Sequence, residues 1–371
     1  LIIKPYDEGS VSIYIHWPFC LKKCPYCDFN SYVRDNVDHK TWYQTYFKDF
    51  EAQKHYFANK KIKSIFFGGG TPSLMEASAV AEMIAYFTKH NGEPIKEITL
   101  ESNPSTFEIA RFKDFKQAGV NRLSTGIQSF SDKNLKFLGR NHNVKEAISA
   151  LEQSNEIFER TSFDLIMGLP HQSFDELKAD LELGLKFFKE HISIYQLTIE
   201  EGTLFFKNKV KELNEEVASV FFEYIVNTLY SRGIKQYEIS NFALPGCESI
   251  HNLNYWRGGE YLGFGPNAQG RVFYNNKWYG TREYKNPNKW LESKEKFEEF
   301  EEISTQSRFE ELVMTQLRVN EPLPKYLVDL LDKNKINNLV LQGLLSNING
   351  NIQTTKNGIL CLNYVIKELL V

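Results

Sequence analysis

The sequence predicts an α/β protein built on a parallel sheet, and three observations predict it. Short apolar runs alternate with longer segments of helical period between residues 11 and 231. The runs close on glycine, proline or polar residues, and strands joined through helices pair in parallel. Three cysteines follow the first run, where a parallel sheet carries its functional loops.

Val11-Ser12-Ile13-Tyr14-Ile15 alternates and predicts the first strand. Trp42, Tyr46, Phe50 and Phe57 recur at helical spacing and predict a helix over 38–58, with Asp38 as its cap. Strands follow at 63–67, 97–101, 120–125, 162–167 and 191–197, separated by helices near 77–90, 106–117, 131–138, 143–157 and 173–189, with a last helix at 215–231. Six βα units suit either an open barrel or a flat, doubly wound sheet, and the strand count alone does not choose.

Composition narrows the function. Lys and Arg number 44 against 47 Asp and Glu, a net charge of −3, so no global field favours nucleic acid or an anionic membrane. No apolar run approaches a membrane span and no signal peptide opens the chain, although Leu1 leaves the true start open. The five cysteines are an odd number with three clustered, which predicts a reducing, cytoplasmic compartment. At 371 residues the chain has room for about two domains.

Cys20, Cys24 and Cys27 fall at C-x3-C-x2-C spacing on a loop punctuated by Pro18 and Pro25. Thiolates suit soft metals, and three of them around a four-iron, four-sulfur cluster leave one iron without a protein ligand. A zinc site completed by His16 is the competing reading, and three unrelated thiols a third. Zinc sites of this kind add a second ligand pair further on, and none follows here.

The spacing resembles the signature of radical S-adenosylmethionine (SAM) proteins. That resemblance implies a [4Fe–4S] cluster whose free iron is chelated by the amino and carboxylate groups of SAM. It also implies a partial (β/α)6 barrel, open on one side to a large substrate.

Gly68-Gly69-Gly70-Thr71-Pro72 closes the second strand, where glycines let backbone amides approach a ligand; an ordinary tight turn would look the same. Glu101, Gln128, Arg140 and Asp164 stand at or just past successive strand ends, a set suited to a ligand with ammonium, carboxylate and hydroxyl groups. In the resemblance, Tyr14, Gly69 and Glu101 match positions that hold the cluster-bound SAM. Tyr26, Gly70, Thr71, Gln128, Arg140 and Asp164 match positions that hold a second SAM in one branch.

Nearly the whole chain resembles the oxygen-independent coproporphyrinogen III oxidase superfamily. The oxidases carry a further cysteine two positions past the third, where this chain has Phe29, and an N-terminal extension before the first strand, where this sequence has about ten residues. The HemW-type haem chaperones match in both respects, and in residues 237–243 (YEISNFA) and 251–256 (HNLNYW). That branch implies haem as cargo and haemoproteins as acceptors; a homodimer and peripheral membrane contact through acceptors stay open. An oxidase, or a radical SAM enzyme acting on another substrate, stays in play. An imidazole beside aromatic rings suits haem, so His251 is the expected ligand, against the plainer reading of a packed structural histidine; Cys247 is a second candidate.

Past 236 the βα rhythm breaks. One more strand is expected over 236–243, then a Gly- and aromatic-rich stretch, then a Lys/Glu-rich helix over 288–303. The tail predicts helices at 308–318, 324–334 and 337–345, a hairpin at Asn349-Gly350 and a helix at 358–370. That order resembles a small α+β winged-helix module. It has no basic face, so nucleic acid is not the expected partner. The expected division is 1–235 for the barrel, 236–303 for a linking segment with the haem motif, and 304–371 for the tail.

Overall fold

The six expected strands all form and stand side by side in chain order. The computed structural model describes residues 2–34 and 36–370. In it, β1 (Ser10–Trp17), β2 (Lys61–Gly69), β3 (Glu97–Ser102), β4 (Arg122–Gln128), β5 (Arg160–Met167) and β6 (His191–Gln196) each run parallel to the next. A doubly wound sheet must reverse its strand order at a switch point. None occurs here, and right-handed crossovers then place every helix on one face. This is the singly wound partial (β/α)6 barrel.

Period-two alternation sorts the two faces. Along β1, Val11, Ile13, Ile15 and Trp17 enter the main apolar core with Trp42, Tyr46 and Phe50 of α1 (His39–Gln53). Ser12, Tyr14 and His16 point the other way, into the barrel. Fully burying one large apolar side chain contributes about 1.5–3 kcal/mol, so this outer layer stabilises the fold and leaves the interior free to be polar. Asp38 caps α1 as expected, its side chain accepting the Thr41 N–H.

Both flanks of the barrel sheet are extended by residues past 234. The expected strand over 236–243 is instead two short ones, β7 (Lys235–Gln236) and β8 (Asn241–Ala243), antiparallel to each other. Between them the chain turns, with the Glu238 carboxylate accepting the Ser240 N–H at 3.3 Å. On the other flank β9 (Tyr261–Phe264) pairs in parallel with β1. Then β10 (Gln269–Tyr274), β11 (Lys277–Glu283) and β12 (Phe297–Ile303) add antiparallel. Asn275 and Asn276, both at positive φ, make the two-residue turn that β10 and β11 need.

The Lys/Glu-rich helix expected over 288–303 does not form as such. Only Pro287–Glu292 is helical, and after a short connection Phe297–Ile303 is the edge strand β12. Three of its four carboxylates pair across the sheet: Arg282 pairs with Glu298 and Glu299, and Lys277 with Glu302.

The tail follows the expected order of helices, hairpin and helix. Thr305–Gln316, Lys325–Val328 and Lys333–Leu341 precede the hairpin β13 (Leu345–Ile348) and β14 (Asn351–Thr354), with short helices after it. Val313, Leu317, Leu339, Ile352 and Val365 belong to an apolar cluster of its own. Among the described residues no helix is long and apolar enough to cross a membrane.

Candidate functional site

The C-terminal ends of the strands surround a cavity of about 370 Å³, and the cysteine loop forms one wall of it. Leaving β1, this loop is pinned on both sides. Gly70 N–H donates to Trp17 O at 2.7 Å and Thr71 N–H to Phe19 O at 2.9 Å. The Asn30 side chain donates to Pro266 O and Lys285 O at 3.0 Å each. Cys20, Cys24 and Cys27 all line the cavity. Burial pushes the Cys20 thiol up to about 11 and also raises Cys27, so a bound metal must displace protons as it binds.

His16 is not available to complete a zinc site. Its Nε2 lies 2.9 Å from Asn30 O and its Nδ1 lies 3.0 Å from the Tyr14 hydroxyl. Since a carbonyl only accepts, Nε2 carries the proton and Nδ1 accepts from Tyr14. Among the described residues no three of His, Cys, Asp and Glu gather around a single ion. A cluster places each thiolate on a different iron, so three thiols along one wall suit it where one zinc would need them convergent.

The glycine turn is shaped by close approach. Gly69 sits at φ +107°, and a Cβ there would lie 2.5 Å from the His16 ring. A Cβ on Gly70 would lie 2.7 Å from Phe19 O. Any side chain at either position would push the turn off the cysteine loop.

Charged groups close the opposite wall. Glu101 accepts the Gly69 N–H at 3.2 Å. Burial, and then the neighbouring Asp164, push its carboxyl up to about 8. Asp164 is raised to about 6 by burial, opposed by a hydrogen bond from Ser193 and by Arg122 and Arg140. Arg140 reaches Gly126 O at 2.8 Å, the Tyr26 hydroxyl at 3.4 Å and Cys24 Sγ at 3.6 Å, and also donates to Asn103 Oδ1. Its Nε is buried without a partner. Gln128 ends β4 at φ +72°, a left-handed conformation that a non-glycine residue seldom adopts.

Eleven of the expected residues therefore line one cavity: Cys20, Cys24, Cys27, Tyr26, Gly69, Gly70, Thr71, Glu101, Gln128, Arg140 and Asp164. Tyr14 does not line it. It stands one layer below, donating to His16 and facing Phe66 at 6.2 Å.

His251 lies elsewhere. It belongs to α2 (Ile250–Trp256), whose first N–H groups, those of Ile250 and His251, donate to Glu97 at the N-terminal end of β3. The helix plugs the barrel end opposite the cysteines. His251 is 1% exposed and stacks on Phe66 at 5.0 Å. Ser64 gives its proton to Ser12, so His251 Nδ1 donates to Ser64 Oγ at 2.8 Å, and Nε2 accepts from the Tyr255 hydroxyl at 2.6 Å. Both ring nitrogens are used, and neither is presented to an iron. Cys247 is half-buried, with Glu190 hydrogen-bonded to its thiol.

Sequence reasoning missed Asn103, His142, Tyr195 and Gln196 as cavity residues. Asn103 bridges Arg140 and Thr71. Its signal was available, since it directly follows β3 just as Gln128 ends β4.

A model of the radical SAM superfamily matches residues 14–184. Over 371 residues the chain is 35% identical to heme chaperone HemW of Escherichia coli (strain K12), covering 97% of this chain and 98% of that protein. The chain belongs to the HemW family. Heme chaperone HemW of Buchnera aphidicola subsp. Schizaphis graminum is 36% identical over 374 residues, with the same coverage. The mitochondrial radical S-adenosyl methionine domain-containing protein 1 of Danio rerio is 40% identical over 273 residues; the match takes in 72% of this chain and spans 62% of that protein. Among solved structures, coproporphyrinogen III oxidase (HemN) of Escherichia coli superposes with a TM-score of 0.82 at 18% identity, covering 97% of this chain and 90% of that one. That likeness places the HemW-family chain in the same fold and says nothing of its reaction.

Proposed function

We propose that this chain is a haem chaperone that carries a [4Fe–4S] cluster and SAM and passes haem to acceptor haemoproteins in the cytoplasm. The observation that carries the reading is the match along almost the full length to proteins named heme chaperones, at 34–36% identity. Phe29, where the oxidases resembled by this chain have a further cysteine, supports it.

Cys20, Cys24 and Cys27 would hold the cluster, and its open iron would take the amino and carboxylate groups of SAM. Bound together, cluster and SAM supply one-electron chemistry at the sulfonium. The chain's own residues bind and orient. Glu101 would accept from an N–H of that iron-bound amino group, Gly69 would keep the approach clear, and Tyr14 would fix the His16 floor beneath it. Tyr26, Gly70, Thr71, Gln128, Arg140 and Asp164 line the remaining volume, where the adenosyl part or a second SAM would lie. Burial and Asp164 favour the protonated form of Glu101, and an amino N–H donor beside it, with the sulfonium's positive charge in the same cavity, would favour the carboxylate.

The test is to reconstitute the cluster anaerobically and assay haem binding and coproporphyrinogen decarboxylation side by side. Haem binding and transfer without porphyrin turnover is the expected result. Decarboxylation coupled to SAM consumption would make the chain an oxidase instead.

A further inference from the structure

An imidazole that ligates haem iron needs a free ring nitrogen at the surface. Of the eight histidines, His16, His142, His191 and His251 are buried and hydrogen-bonded through the ring. His39 is bonded to the Tyr43 hydroxyl and His90 to Tyr86 O, each at 2.8 Å. Among the described residues, only His55 and His171 are exposed with neither ring nitrogen engaged.

His55 stands on an aromatic surface, and no ring packs on His171 among the described residues. The His55 ring lies 3.8 Å from Tyr56 and 5.9 Å from Tyr274, centroid to centroid. Tyr56 continues to Phe300 at 5.8 Å, and Phe300 stacks on Tyr279 at 4.9 Å. Tyr274 and Phe300 are each 38% exposed. Cross-strand packing accounts for Tyr279 against Phe300. It does not call for an unbonded imidazole beside an open aromatic face. Lys277 is the register partner of Tyr274, and Lys54 precedes His55. Their side chains are 52% and 41% exposed in ion pairs with Glu302 and Glu51. Such exposed pairs are weak and can be given up for a ligand's carboxylates.

We propose that His55 is the axial ligand of a metalloporphyrin lying against Tyr56, Tyr274 and Phe300. The inference rests on the haem-chaperone reading and supplies the site that His251 does not. One ring-nitrogen lone pair forms the Fe–N bond and displaces an iron-bound water, with no electron transferred. His55 precedes β2, at the N-terminal end of the strands, whereas the cysteine loop lies at their C-terminal ends. Haem and SAM would therefore bind at opposite ends of the barrel and not compete.

The test titrates haem into the full-length, cluster-loaded protein and into His55→Ala, His55→Cys and His171→Ala, with and without SAM. The Soret difference spectrum gives affinity, and magnetic circular dichroism identifies the ligand. His55→Ala is expected to raise the dissociation constant about tenfold or more. His55→Cys should bind with a thiolate signature, which a merely misfolded variant could not give. His171→Ala and added SAM should change nothing. Equal affinity in wild type and His55→Ala, loss in His171→Ala, absence of a thiolate signature in His55→Cys, or competition between SAM and haem would overturn the assignment while leaving the chaperone standing. Wild-type protein that binds no haem would overturn the chaperone reading itself.

Discussion

The backbone N–H of Gly69 donates to the Glu101 carboxylate at 3.2 Å, and this bond joins the glycine turn to the acid wall of the cavity. It also sets a pH dependence. Burial and Asp164 raise Glu101 from 4.5 to about 8. Between those values an unfolded chain ionises Glu101 and the folded, empty protein does not, so this group lowers stability as pH rises from 4.5 to about 8. SAM would reverse the preference, because the N–H of its iron-bound amino group and its sulfonium charge favour the carboxylate. SAM affinity should therefore rise with pH up to about 8.

Glu101→Gln keeps the acceptor for Gly69 and removes the charge. It should weaken SAM binding about tenfold or more, the worth of one charge-assisted hydrogen bond. It should also flatten the pH dependence, leave cluster iron unchanged and raise the apo Tm above pH 7. Calorimetric titration at several pH values checks this; unchanged SAM affinity removes Glu101 from the site.

Replacing any one of Cys20, Cys24 and Cys27 with Ala should strip the cluster and leave the fold. The apolar core packs on the outer face of the sheet, away from Cys24 and Cys27, so circular dichroism should be preserved. Iron and sulfide analysis after anaerobic preparation reads the outcome. Stoichiometric zinc without sulfide would contradict the cluster.

The cavity was legible because a parallel sheet gathers strand ends, so polar residues far apart in sequence could be assigned to one rim. Glu101, Gln128, Arg140 and Asp164 needed no side-chain contacts to be grouped. Two features were not legible. The run Phe297–Ile303 has the composition of a solvated helix, and what makes it a strand is Lys277 and Arg282 on its neighbour. His251 beside Tyr255 and Trp256 looks like a haem pocket in one dimension. Its ring is consumed by Ser64, 187 residues away, and by Tyr255 of the same helix, while Glu97, 154 residues away, holds the helix start through the His251 backbone N–H. A local motif shows which groups are near, and long-range hydrogen bonds decide whether they are free.

Glu97 should be a stability residue. Burial alone would push it up, but Arg122, Arg160 and the N–H groups of His251 and Ile250 hold it below the usual carboxylate value. Its contribution is therefore present above pH 4.5 and lost as pH falls through its folded value. Glu97→Ala leaves Arg160 with Glu190 as its one carboxylate partner and strips the start of α2 of its acceptor, and should cost about 3 kcal/mol or more. Thermal denaturation at pH 7 measures it, and a Tm within a degree or so of wild type, where a change of 1 kcal/mol moves Tm by about 2–4 °C in larger domains, would refute the bracing role.

His251 carries the sharpest contrast between motif and structure. Burial pushes its pKa from 6.5 down to about 3, so it is neutral when folded. An unfolded chain protonates it below 6.5, and the stability it supports is lost as pH falls from 6.5 toward 3. His251→Ala removes a ring stacked on Phe66 and strands Ser64 and Tyr255 inside the barrel. A loss of about 2–4 kcal/mol is expected from the cavity and the unpaired groups together. His251→Asn, which retains one donor and one acceptor, should recover part of it. In both variants the protein that remains folded should bind haem as wild type does. Haem affinity that falls in His251→Asn while Tm holds would return the ligand to this helix, and would require α2 to leave the barrel before Nε2 could reach an iron.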